Sequence, residues 1–153
     1  MEAAVVNSFV ESILAILETY QVGDIKALKP FMKKIETTPF DISGMMTLTG
    51  ELTGSVAVAF TDECILGIVS NMFGEPMTEM NDEIKDAVGE MVNMMAGQVN
   101  TKMTTMGKQI KAAFTRVQMG SNLPVAHIEG CPVLVLPYKS NAGKFSLEVC
   151  FDR

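Results

Sequence analysis

From Asn81 to Met106 the chain contains no proline, and its apolar residues recur one helical turn apart. The spacing predicts one long helix, and a chain of 153 residues must build the rest of its fold around it. Asn81 is a good cap, and Asp82 and Glu83 put negative charge where the helix dipole favours it. On a wheel at about 100° per residue, Ile84, Val88, Val92, Met95, Val99, Met103 and Met106 gather on one side as a core stripe.

The segments on either side fall into place around this helix. Residues 2–20 carry Phe9, Ile13, Ile16, Leu17 and Tyr20 at helical spacing. A connector with Pro30 and Pro39 leads to Ser43–Gly50 and Gly54–Phe60, which alternate apolar and small polar residues as a hairpin. Thr61 and Asp62 cap a short helix that turns Ile65, Ile68, Val69 and Met72 inward and stops at Gly74 and Pro76. Beyond the long helix, Ile110–Met119 alternates, and Val133–Tyr138 and Lys144–Phe151 form a second hairpin around Ser140–Gly143. The order predicts an α+β fold, an antiparallel sheet with helices packed on it, in two helix-then-strands halves. With no linker in sight, residues 1–153 read as a single domain.

Composition excludes several classes. Twelve Lys plus Arg against eighteen Asp plus Glu give a net charge of −6, so there is no electrostatic basis for binding nucleic acid or an anionic membrane. No apolar run approaches the roughly 20 residues of a membrane span, and no basic region precedes the first apolar stretch. The expectation is a cytoplasmic protein. Cys64, Cys131 and Cys150 are odd in number and have apolar neighbours, which reads as three reduced core cysteines rather than a metal or redox site. His127, the one histidine, stands in a loop or strand end without the spacing of a zinc site or a triad, and Lys33–Lys34 is too small a cluster for an anion site.

The side of the long helix away from the core is unusual. It collects Asp86, Glu90, Asn93, Met94, Gly97, Thr101 and Thr104, with Asn100 at its margin and no basic residue on the stripe before Lys108. A solvated helix face ordinarily mixes Lys and Glu four apart for a few tenths of a kcal/mol per pair. Asn is a poor helix former, and Gly is worse than Ala by about 1 kcal/mol. On one account Glu90 and Asn93, three apart, present a carboxylate and a carboxamide to a partner while Gly97 permits close approach. On the other, Asn93 caps a neighbouring loop and Gly97 packs under another element.

Asp86-x-x-x-Glu90-x-x-Asn93, running on to Gly97, resembles the signature helix of the CheC, CheX and FliY family of chemotaxis phosphatases. The hairpin from Thr49 to Phe60 and the terminal Lys144–Cys150 strand extend the similarity over most of the chain. A single copy of the signature makes it closest to CheX, whose relatives are homodimers. The resemblance implies a phosphorylated CheY-type response regulator as partner. Asn93 would orient a water for attack on its aspartyl phosphate, and Glu90 would pair with a regulator lysine. Asp86, Met94, Gly97, Asn100 and Thr101 would line the contact. The protein would need no cofactor of its own, the Mg²⁺ belonging to the regulator. The chemistry suits these residue types, because phosphoryl transfer from a reactive acyl phosphate is mostly positioning and electrostatics, and a carboxamide both donates and accepts hydrogen bonds without titrating. The sequence departs from the family at two points. The proline expected after the signature falls on Arg116, and the second site of two-site relatives falls on Glu11-Ser12-Ile13-Leu14, where Leu14 cannot orient water. The alternative is a non-catalytic adaptor or flagellar-switch-like module that binds a regulator without hydrolysing its phosphate.

Overall fold

A computed structural model describes residues 2–34, 39–121, 123–125, 127 and 131–152. Among them are three helices, α1 (Ala3–Thr19), α2 (Asp62–Phe73) and α3 (Asp82–Thr105). The strands are β1 (Lys26–Ala27), β2 (Phe31–Met32), β3 (Ile42–Gly50), β4 (Thr53–Phe60), β5 (Ile110–Met119), β6 (Leu134–Lys139) and β7 (Lys144–Asp152). They form one antiparallel sheet in the order β1-β6-β7-β4-β3-β5, with β2 also on the edge of β6. The expected α+β architecture and element order are present; the two-residue β1 and β2 fall within the expected connector.

The helix ends follow the sequence chemistry. The Thr61 hydroxyl accepts from the Cys64 N–H at 3.2 Å, and the Asn81 side chain accepts from Glu83 and Ile84 N–H at 3.0 and 3.2 Å. Both satisfy donors that a helix start leaves unpaired. Phe9, Ile13, Ile16 and Leu17 of α1 join Ile84, Val88, Val92, Met95, Val99 and Met103 of α3 in one core on the helical face of the sheet. Met106, expected there, is 42% exposed, because it is the C-cap and the stripe ends one turn earlier. Helix α3 lies close on β3: a Cβ at Gly44 would collide with Val92, so glycine is what lets the two backbones approach.

Strand β5 does not alternate throughout. Its pairing with β3 slips between Met45 and Met46, which oppose Arg116 and Phe114, so Thr115 is an extra, bulged residue. Phe114 and Val117, three apart, therefore share the helical face; regular alternation would put them on opposite faces. Arg116, where the resemblance leads one to expect a proline, pairs with Met45 just after the bulge.

The cysteine expectation holds only for Cys64, which is free and buried, its thiol pushed up to about 12 by burial. Cys131 and Cys150 form a disulfide with Cα atoms 6.1 Å apart. The β6–β7 ladder pairs Leu134 with Val149, so the residues leading into β6 run beside Cys150. Strand register creates that proximity, and cysteine spacing does not reveal it.

Candidate functional site

Asp86, Glu90, Asn93, Met94, Gly97, Thr101 and Thr104 are all exposed along α3, while Ala87, Val88, Met91, Val92, Met95, Ala96 and Val99 between them are buried. Glu90 and Asn93 thus stand as neighbours on the outer face of a helix whose other side is locked into the core. Neither side chain hydrogen-bonds or pairs with another described residue, so both offer their full capacity to solvent or to a partner. Met94, 37% exposed, lies next to Asn93. The Thr101 hydroxyl donates back to the Gly97 carbonyl at 3.2 Å and leaves only a small face outward.

The structure separates the two accounts of this face. Asn93 caps nothing, and a Cβ on Gly97 would meet nothing within 4 Å. The asparagine that grips a neighbouring element is Asn100. Its Nδ2 donates to the Ala112 carbonyl at 2.9 Å, and its Oδ1 accepts from the Ala112 N–H at 2.7 Å. This carboxamide acts as one more strand along the free edge of β5. Asn100, expected at the margin of the partner contact, thus also ties α3 to the sheet through its polar atoms.

One feature of the stripe differs from expectation. A groove of about 460 Å³ opens between α3 and β5, with Glu90 and Asn93 on one wall and Phe114 and Val117 as its apolar floor. Lys85, one residue before Asp86, lines it as well, so a cation stands beside the acidic pair. Lys102 is turned the other way, toward Glu11 of α1 at 3.9 Å. Leu14, at the second-site position, packs against the core. The wheel could have flagged the groove: Lys85, Gly89, Asn93 and Gly97 form one row four residues apart. Its floor depends on the β5 bulge, which has no signature in the sequence.

The opposite face of the sheet carries a second polar cluster, which brings Lys33 and His127 together with Ser55 and Glu148. Lys33 Nζ donates to both Glu148 oxygens at 3.0 Å. His127 joins the same carboxylate through Nε2 at 2.9 Å and reaches Ser55 Oγ through Nδ1 at 2.6 Å. Burial raises the Glu148 pKa, but the hydrogen bonds and charges of His127 and Lys33 outweigh it and bring it below the usual carboxylate value. Glu148 is therefore ionised and can only accept, so the Nε2–H of His127 donates to it while Nδ1 shares a hydrogen bond with the Ser55 hydroxyl. The set has the residue types of a hydrolase triad, yet Ser55 is only 5% exposed, in the middle of β4. The neighbours of His127 at 126 and 128–130 lie outside the described residues. Among the described residues no group of three His, Cys, Asp or Glu side chains could hold a metal, and no helix is long and apolar enough to cross a membrane.

Comparison with known proteins bears on the exposed stripe. The family profile of the chemotaxis phosphatase CheX matches residues 42–139. The CheY-P phosphatase CheX of Thermotoga maritima is 28% identical over 126 residues, 82% of this chain and 81% of that protein. A CheC-like superfamily protein from Shewanella sp. PV-4 superposes with a TM-score of 0.90 at 30% identity, covering all of both chains. At 20% identity, the CheX of a CheX–CheY–BeF3–Mg²⁺ complex from Borrelia burgdorferi shares the fold with a TM-score of 0.74, over 97% of each chain.

Proposed function

Because the chain belongs to the CheX family of chemotaxis phosphatases and is a homologue of a CheY-P phosphatase, we propose that it removes phosphate from the phosphorylated aspartate of a CheY-type response regulator. The observation that carries this reading is the exposed, unengaged Glu90–Asn93 pair on a helix anchored by its buried face.

An acyl phosphate needs no further activation by a nucleophile; it needs a water held in line with the bond that breaks. Asn93 supplies that hold, its carbonyl oxygen accepting a hydrogen bond from the water while its N–H donors remain for the phosphoryl oxygens or the regulator backbone. Glu90, one turn earlier, pairs with a regulator lysine and fixes the angle at which Asn93 enters. Asp86, Met94, Gly97, Asn100 and Thr101 complete the contact. The Mg²⁺ that balances the phosphoryl charge is held by the regulator, and this chain brings no cofactor of its own. Placement on a rigid element matters, because misplacement of a positioning group by about 1 Å can cost about a hundredfold in rate. The Borrelia CheX, captured with CheY, BeF3 and Mg²⁺, supports the same mode of partnership here. Residues 1–153 act in this reading as one domain, with one site per protomer of a homodimer in the cytoplasm.

The test mixes the protein with phosphorylated regulator and follows phosphate release. Wild type should accelerate it, and Asn93→Ala should slow the assisted rate by more than about tenfold, or some 1.4 kcal/mol of barrier. A regulator that binds tightly yet keeps its phosphate at the unassisted rate would mark the chain as an adaptor.

A further inference from the structure

Helix α3 holds two glycines on its outer face, Gly89 and Gly97, one turn before and one turn after Asn93. Glycine is the poorest helix former after proline, so each needs a local reason. Packing supplies none. A Cβ on Gly97 would meet nothing, and one on Gly89 would stand 3.5 Å from Phe114 Cζ and 3.6 Å from Val117 Cγ2, ordinary van der Waals contact. Alanine would fit at both positions and be better helix.

At Gly89 that Cβ would project toward the groove floor formed by Phe114 and Val117, beside Glu90. The floor is apolar and half-buried, while Lys85, Asp86 and Glu90 stand at the rim, the arrangement of a small interface with an apolar centre and a charged margin. Resting on the phosphatase reading above, we propose that Gly89 is a specificity-determining residue: it keeps the α3–β5 groove open for an apolar side chain of the regulator, next to the phosphorylated aspartate. That side chain packs on Phe114 and Val117 while Asn93 enters the regulator's site. Lys85 and Glu90 then meet groups of opposite charge on either side of it. The glycines leave Asn93 without a Cβ neighbour on its own row, so the partner closes around it.

The experiment measures binding of each CheY-type regulator from the same genome, activated with beryllium fluoride and Mg²⁺, to wild type, Gly89→Ala and Gly89→Leu, with thermal melts alongside. Gly89→Leu is expected to lose at least about tenfold in affinity, with Gly89→Ala in between, while both melt at or above the wild-type temperature. Binding by Gly89→Leu within about twofold of wild type overturns the groove proposal. It does so without touching the phosphatase reading if wild type still dephosphorylates and Asn93→Ala does not. A wild type that binds no activated regulator overturns both. If Gly89→Leu instead changes the sedimentation of the protein alone, the groove belongs to a contact between copies and the proposal falls.

Discussion

The two faces of the sheet hold polar clusters of opposite design. Behind it, Ser55, His127, Glu148 and Lys33 include a nucleophile, a base and an acid in a chain of hydrogen bonds. In front, α3 offers a carboxylate and an amide that bind no other described residue. By residue type the rear cluster is the better candidate for catalysis. By accessibility it is the worse one: its charges neutralise one another, and the Ser55 side chain is buried. A group that has satisfied its hydrogen bonds internally stabilises the fold, and one left unsatisfied at the surface can act on a partner.

The comparison breaks most visibly at Glu148. Glu148→Ala leaves Lys33 buried without a counter-charge, and urea denaturation should show a loss of about 3–5 kcal/mol. Phosphatase activity per folded molecule should be unchanged. Asn93→Ala is the converse: a loss of assisted dephosphorylation by about 100-fold, some 2.7 kcal/mol of barrier, with no change in melting temperature. Asn100→Ala lies between, since it strands the Ala112 N–H and C=O on the β5 edge. About 1–3 kcal/mol of stability should go, with a smaller drop in turnover as α3 loosens. The smallest effect is one of pH. The folded carboxyl of Glu148 lies below its usual value, so its contribution is complete above the unfolded pKa of about 4.3 and is lost as acid passes the lowered folded value. Wild-type melting temperature should fall below about pH 5, and Glu148→Gln should flatten that fall.

How much of this was legible in the sequence differs between the two faces. The front was readable because α3 obeys a single period: one wheel separated Val88 and Val92 from Glu90 and Asn93, and the cap at Asn81 marked where to begin. Even there, helical spacing could not tell which asparagine grips β5, because Asn93 and Asn100 differ only in what stands opposite them. The rear was opaque. Lys33, Ser55, His127 and Glu148 come from four separate segments and meet only in three dimensions, Ser55 and Glu148 through the register of β4 and β7. The Cys131–Cys150 link escaped for the same reason.

The bulge at Thr115 makes the floor of the groove hostage to strand register. If β5 ran along β3 without it, Thr115 would oppose Met45 and Arg116 would oppose Gly44, and from position 116 onward every side chain of β5 would change sides. Arg116 would turn toward the helices, and Val117 would leave the groove. No residue of α3 would have been altered, and its signature would still match the family pattern letter for letter. The docking surface would nonetheless be rebuilt with a guanidinium in place of an isopropyl group. A change in β5 that straightens the bulge at constant length is therefore a change of binding specificity written outside the motif, and relatives that keep the signature but pair this strand without a bulge would be expected to choose different partners.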